Sequence, residues 1–341
     1  MTVSSTHTPL DAPGDSGVRI VAQVPTDQKL RVSLTAACNY SCFFCHNEGS
    51  LPEKISSSAT LLPKDLAFVA RVAVDAGIRS LKLTGGEPLL YRSGRDRIEH
   101  VVRLVRGVAD PEALDLSITT NGQLLKSVAP RLREAGLSRL TVSLHTADSD
   151  TFRRDISAAG SPKAQLAGIR SAIARGISVK ANVLVMKENL AEVPLLMSTL
   201  NELGVQQVRF YRLLWSPLLG DRLRDSRISD EAILHLAEKC TGVRLSQTDL
   251  EWAIQFLAAS SGQHHGRTLS VGTADRQILI DAMPAHATPA DEGDYALRLT
   301  ARGGLRAHLF GDEVDLLPSI KARSLSETST AIRRARAELQ S

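Results

Sequence analysis

No run of about 18 apolar residues occurs in the 341-residue chain, so no membrane-spanning helix is expected. Residues 1–27 also lack the basic start and apolar core of a secretory signal. Rich in Ser, Thr, Pro, Gly and Asp, they read as a flexible leader. Cysteine is scarce, with four residues in all, and three of them fall within one eight-residue stretch. That distribution excludes a disulfide framework. Strong charge of one sign is lacking too. The net charge of +4 is modest and spread along the chain, which gives no argument for nucleic acid as a partner. Such a balance suits anionic small molecules gathered by a few arginines. No internal repeat or low-complexity tract interrupts a composition, 43% hydrophobic and 23% charged, that is ordinary for a globular protein.

What is present is concentrated in Cys38-Asn39-Tyr40-Ser41-Cys42-Phe43-Phe44-Cys45. The stretch follows a short apolar run, Leu30 to Leu34, so three thiolates leave the end of a strand on one loop. Soft thiolates suit iron–sulfur chemistry, and such a loop can wrap one face of a cuboidal cluster. With three local ligands the fourth iron keeps an open position, which is what a catalytic metal keeps for its substrate. Zinc is the alternative. A closed zinc shell needs a fourth ligand, and the chain offers only Cys240 elsewhere, with His46 too close in sequence to serve easily. An air-sensitive cluster needs a reducing compartment, so a cytoplasmic location is expected.

Downstream, strands expected at 80–84, 113–119, 139–144, 178–186 and 207–213 alternate with helices at 63–76, 98–108, 124–135, 162–175 and 191–203. With the strand before the cysteines this makes six parallel βα units, an α/β fold with a partial (β/α)6 barrel over residues 28–216. Residues 217–341 read as an α+β extension over the barrel mouth, with helices at 228–240 and 250–259, four short strands between 268 and 310, and a terminal helix at 324–340. Ligands gather at the carboxyl ends of strands in this architecture, and unusual polar residues are expected there. Gly85-Gly86-Glu87-Pro88 follows the strand 80–84, where glycines allow close backbone approach. Asn121 ends the third strand and Ser143 lies in the fourth; each can bond a polar ligand without carrying charge. Arg31, Lys82, Lys180, Arg209 and Arg212 form an expected basic cluster at the mouth, and arginine forks suit phosphate and carboxylate.

The Cys-x3-Cys-x2-Cys stretch with an aromatic before the last cysteine resembles the signature of the radical S-adenosylmethionine (SAM) superfamily. The resemblance implies one 4Fe–4S cluster held by Cys38, Cys42 and Cys45, with SAM chelating the open iron and Phe44 packing beside its adenine. One electron, from a carrier such as flavodoxin or ferredoxin, then cleaves SAM to a 5′-deoxyadenosyl radical that abstracts hydrogen from substrate. Gly85, Gly86 and Glu87 correspond to the superfamily's GGE motif, whose backbone meets the SAM ammonium, and Asn121 and Ser143 join them as SAM contacts. The segments LRVSLTAACNYSCFFCHNEG, LKLTGGEPLL, ITTNGQLL, LTVSLHT, VKANVLVMKEN and VRFYRLL resemble one branch in particular, the molybdenum-cofactor GTP 3′,8-cyclases, over about residues 29 to 320. That match implies triphosphate contacts at Arg31, Lys180 and Arg298.

The departures from this branch shape the expected function. The cyclases carry a second cluster on a Cys-x2-Cys-x13-Cys frame, and the same register here places Asp291, Asp294 and His308. Carboxylates and an imidazole are poor iron–sulfur ligands, so no second cluster is expected. The three residues could instead hold a divalent metal or bond a base or sugar hydroxyl. Ala296 replaces a further basic residue, Leu339-Gln340-Ser341 a terminal Gly-Gly, and His145 an Asp; His145 is a candidate substrate or proton-transfer group. The expected substrate is therefore a different phosphorylated nucleotide or nucleotide-sugar, handled with carbon–carbon bond formation as in tunicamycin-type nucleoside antibiotic assembly. The rivals are a true GTP 3′,8-cyclase, a viperin-like nucleotide dehydratase, and a zinc-binding interaction module.

Overall fold

The computed structural model describes residues 18–22, 29–46, 60–205, 207–213, 222–258, 267–273, 276–281, 296–309 and 311–340. The chain begins with β1 (Val18–Ala22) and β2 (Lys29–Ser33), then passes through the cysteine loop to α1 (Pro63–Asp75). There follow β3 (Ser80–Thr84), α2 (Ile98–Val108), β4 (Asp115–Thr120), α3 (Leu125–Glu134) and β5 (Arg139–Ser143). A short helix α4 (Ser149–Thr151) runs into one π turn (Phe152–Ile156) before α5 (Pro162–Ile173), β6 (Ser178–Leu184), α6 (Val193–Glu202) and β7 (Gln207–Tyr211).

These elements form where the apolar pattern demands them. In β3 the residues Leu81 and Leu83 are buried while Ser80 and Lys82 are half-buried, a period of two that gives one face to the helices. The same alternation recurs in β2, β6 and β7. Helices α1 and α2 bury a stripe against that face and against each other, with Leu66, Val69 and Ala73 of α1 and Val101, Val102 and Val105 of α2 all in one continuous core. Pro130, inside α3, cannot donate to the carbonyl of Lys126, and the Ser171 hydroxyl of α5 donates to that carbonyl instead at 3.2 Å.

The second half of the chain adds α7 (Arg222–Asp225), α8 (Asp230–Thr241), α9 (Gln247–Ala258), β8 (Arg267–Gly272), β9 (Gln277–Asp281), β10 (Leu297–Leu299), β11 (Gly304–Arg306) and β12 (Val314–Asp315). It ends with α10 (Leu317–Lys321) and α11 (Leu325–Gln340). The strand order in the single sheet is β1-β8-β9-β7-β6-β5-β4-β3-β2-β10-β11-β12. Strands β2 to β7 lie side by side in parallel register, as the βα alternation requires, and β9 and β10 continue them in parallel beyond β7 and β2. This is a partial barrel, open between its two edges.

Two expectations about the ends need correction. Residues 18–22, read from composition as part of a flexible leader, form a strand antiparallel to β8. The strands of 217–341 do not build a separate region; they prolong the barrel's own sheet at both edges, where open backbone donors and acceptors invite pairing. The terminal helices are fixed to α1 through Asp65, a carboxylate almost wholly withdrawn from solvent. It is ion-paired with Lys321 and, at 2.8 Å, with Arg323, and it accepts the Leu62 N–H at 2.9 Å. No helix among the described residues is long and apolar enough to cross a membrane.

Candidate functional site

The cysteine loop is seated on the glycine pair after β3. Gly86 N–H donates to the Thr35 carbonyl at 2.7 Å and Glu87 N–H to the Ala37 carbonyl at 2.8 Å. A Cβ at Gly86 would stand 2.2 Å from the Ala37 oxygen, and one at Gly85, where φ is +135°, 2.3 Å from the Thr35 oxygen. Both positions therefore exclude any side chain, and the loop carrying the thiols rests directly on this backbone. The carbonyl oxygens of Gly85 and Gly86 have no hydrogen-bond partner among the described residues.

Glu87 is fully buried. Its carboxyl accepts from Leu89 N–H at 2.9 Å, the Thr120 hydroxyl at 2.6 Å and Asn121 N–H at 2.7 Å, so it ties the β3 loop to the end of β4. Burial pushes its pKa up, against the pull of those three donors, to about 7. From β4, the Asn121 amide donates to Asn39 Oδ1 at 2.8 Å and lies 4.0 Å from the Cys38 sulfur. Tyr40 of the loop donates its hydroxyl to Gln123 Oε1 at 2.8 Å, and its ring meets Phe152 edge-on with centroids 5.5 Å apart. On the far side the Arg222 guanidinium lies over the Phe43 ring, 4.0 Å from its centroid, and pairs with Asp155 at 3.0 Å. The loop is thus gripped from β3, β4, the π turn and α7, around a small apolar cluster of Phe152, Ile156, Leu184, Met186, Leu213 and Leu223.

None of the three cysteines is in a disulfide. Burial raises Cys38 to about 11 and Cys42 to about 12, and each also feels the charge of Cys45. As bare thiols Cys38 and Cys42 stay protonated; a bound metal deprotonates such ligands outright. Among the described residues no group of His, Cys, Asp or Glu converges to hold a single ion. One zinc at about 2.3 Å from each sulfur needs the sulfurs within roughly 4 Å of one another. A cubane gives each thiolate its own iron and tolerates wider separation, so these residues fit a 4Fe–4S cluster better than a zinc ion.

Phe44 and His145 meet edge-on, with centroids 5.2 Å apart. Alternation after Ser143 puts His145 on the same inner side of β5. Its Nδ1 accepts the Leu184 N–H at 3.0 Å, so the proton of the neutral ring sits on Nε2. Burial lowers its pKa to about 4. In this form His145 is a neutral ring that presents a donor at Nε2. Asn189, fully buried, holds this corner by donating to the carbonyls of His145 and Leu184 at 2.7 and 2.8 Å.

The basic residues occupy the inner face of the sheet at mid-strand, deeper than the mouth expected from sequence. Arg298, Arg31 and Lys82 are direct neighbours on β10, β2 and β3. Lys180 lies on β6 and Arg209 on β7. Burial, then the charges of Arg139, Arg209 and Lys29, pulls the Lys180 pKa below its usual value. The hydroxyls of Ser117 and Thr119 on β4 are buried without partners among the described residues. Arg212 does not join the row; it is buried in an ion pair with Asp230 of α8. His308 is exposed on the turn after β11, and Asp291 and Asp294 lie outside the described residues. Gln123, Gln165 and Asn189 carried no sequence signal, because each acts on residues distant in the chain.

The Radical SAM superfamily model matches residues 32–200. A "Probable GTP 3′,8-cyclase" of Sulfurisphaera tokodaii is 31% identical over 314 residues, covering 90% of this chain and 90% of that protein. One of Metallosphaera sedula is 37% identical over 303 residues, covering 88% and 86%. In fold the chain is similar to Streptococcus suis SuiB bound to S-adenosylmethionine, with a TM-score of 0.57 at 13% identity over 89% of this chain and 67% of that one.

Proposed function

The chain belongs to the radical SAM superfamily, on the branch of the GTP 3′,8-cyclases, and from that premise we propose that it abstracts hydrogen from a phosphorylated nucleotide or nucleotide-sugar. Its cofactors are a 4Fe–4S cluster and SAM, which together supply a carbon-centred radical that takes a hydrogen atom from substrate. Cys38, Cys42 and Cys45 hold the cluster. The open carbonyls of Gly85 and Gly86 accept from the SAM ammonium, Asn121 and Ser143 bond its polar groups, and Phe44 covers its adenine. Arg31, Lys82, Lys180, Arg209 and Arg298 hold the substrate's phosphates. His145 donates from Nε2 to an acceptor on the substrate and moves no proton.

The observation that carries this reading is the inner face of the sheet. A barrel interior is ordinarily filled with apolar side chains in layers. Here the inward positions hold cations at a spacing that suits a polyanion. The absence of cysteine at positions 291, 294 and 308 supports a substrate other than GTP; the proposed product is joined or rearranged through a new carbon–carbon bond. The second reading, GTP 3′,8-cyclisation, is favoured by identity that runs through about nine-tenths of the chain. Anaerobic incubation with SAM, dithionite and each of GTP, CTP, UTP and a UDP-sugar separates them, scored by 5′-deoxyadenosine release and by deuterium transfer from labelled substrate. Turnover with GTP alone selects the cyclase reading, and CTP converted with loss of water selects a dehydratase. Release that no phosphorylated nucleotide stimulates ends the proposal. Iron, sulfide and zinc analysis of the same preparation disposes of the zinc alternative.

A further inference from the structure

Asn121 and Ser143 end neighbouring strands, and past the last rungs of the ladder their carbonyl oxygens need donors. One side chain serves both. Gln165, in the first turn of α5, donates its Nε2 to the Asn121 carbonyl at 2.6 Å and to the Ser143 carbonyl at 3.0 Å. Only 2% of Gln165 is exposed, and its Oε1 is buried with no partner among the described residues. The amide cannot be turned over, since its oxygen would then face two carbonyl oxygens. The backbone is shaped to bring α5 this close. A Cβ at Gly168 would lie 2.8 Å from the Gly122 carbonyl, and one at Gly122 would lie 2.9 Å from Val142 Cγ1. Glu87 fixes the N–H of Asn121 while Gln165 fixes its carbonyl, so the peptide groups on both sides of that Cα are held.

We infer that Gln165 is a positioning residue for SAM: its bridging amide sets the separation of the β4 and β5 ends, and through it the aim of the Asn121 and Ser143 side chains at the cofactor. The inference rests on the reading of those two residues as SAM contacts. Groups that orient ligating residues from behind typically cost ten- to a hundredfold when removed. The space at 165 accepts methionine, which keeps the volume and loses both donors. Glutamate keeps the shape and presents an acceptor to two acceptors.

The test uses cluster-loaded protein, with SAM affinity measured by equilibrium dialysis, iron and sulfide counted per chain, and the melting temperature recorded. Gln165→Met and Gln165→Glu should retain wild-type iron and sulfide yet bind SAM about tenfold more weakly. A purely structural role lowers the melting temperature and leaves SAM affinity of the folded protein within twofold of wild type, and that result overturns the inference. If neither variant loads a cluster, Gln165→His, which keeps one N–H donor, takes their place and should show an intermediate loss. Asn121→Ala and Ser143→Ala are measured in parallel. Should both bind SAM as wild type does, the reading of the contacts is wrong; should they weaken binding while Gln165→Met does not, only the role of Gln165 falls.

Discussion

Replacing Glu87 by Gln tests which of two opposed forces governs the carboxyl under the glycine pair. Three donors favour its ionised form, and full burial favours the neutral acid. The balance lies with burial, which raises the pKa from 4.5 to about 7. The neutral acid has a partner, since the Thr120 hydroxyl, already accepting Gly122 N–H at 3.0 Å, can accept the carboxyl proton as well. Between the two pKa values the folded protein binds a proton that the unfolded chain does not. Glu87 thus contributes stability that is complete below about pH 4.5 and is lost as pH rises through about 7. At about 1.4 kcal/mol for each tenfold change in proton affinity, the loss is roughly 3 kcal/mol.

Gln at 87 cannot titrate, and whichever way its amide turns, one backbone N–H, of Leu89 or of Asn121, faces an NH2 group. That costs about 1–3 kcal/mol at every pH. The variant should therefore be the less stable protein at pH 5, and its deficit should shrink by roughly 3 kcal/mol on the way to pH 9, with the two curves meeting or crossing. Urea unfolding of reduced, metal-free wild type and variant at half-unit pH intervals measures this difference directly. A gap that stays constant from pH 5 to pH 9 refutes the reasoning, because it means the three donors hold the carboxylate ionised throughout.

Lys180→Met should weaken nucleoside triphosphate binding about tenfold and flatten its salt dependence, while relief of like-charge repulsion raises the melting temperature; unchanged affinity in a calorimetric titration counts against the inner face as the anion site. His145→Gln, whose amide stands where Nε2–H does, should keep turnover within about threefold and His145→Asp should lose about tenfold, with both wild-type and Gln profiles flat from pH 5.5 to 8; an inflection in the wild-type profile that vanishes in His145→Gln shows that the ring titrates after all. Asp65→Asn should cost about 2 kcal/mol in urea unfolding, discounted from the value for a fully buried pair because Lys321 and Arg323 are 41% and 35% exposed. Burial opposes ionisation of Asp65, but bonds from Lys321, Leu62 and Arg323 outweigh it and hold its pKa below 3.8, so its contribution is present above that value and lost as pH falls further; a variant as stable as wild type at pH 7 shows the C-terminal helices held by other contacts.

The repeating part of the fold was legible because its physics is local. Leu81 and Leu83 alternate with Lys82 in β3, and Leu66, Val69 and Ala73 recur at helical spacing in α1, so the elements fall within a few residues of their expected bounds. The fate of the ends was not legible. Val18 to Ala22 is a strand only because β8 lies beside it, and nothing within five residues announces a partner 250 positions away. The cysteines and the glycine pair were found by spacing. Why the glycines are glycines, the 2.2 Å and 2.3 Å approaches to Ala37 and Thr35, needed the backbone of another segment. Glu87 was read as part of a ligand-binding motif, and its carboxyl proved to be a brace within the protein.

The basic row was legible as residues and misplaced in depth, and the cause lies in strand geometry. Position along the sequence says which strand a lysine occupies, whereas its height in the barrel depends on the register between strands. Arg31 aligns with Lys82 and Arg298, and both matches are fixed by pairings with non-adjacent segments. Burial first, and then the charges of Arg139, Arg209 and Lys29, disfavours the charged form of Lys180, and a fold selected for stability alone would place apolar side chains on this wall. In the proposed reading a cationic wall and a tightly braced cysteine loop divide the work: the loop and the ends of β3, β4 and β5 fix the cofactor, and the wall selects the charge of whatever is presented to it.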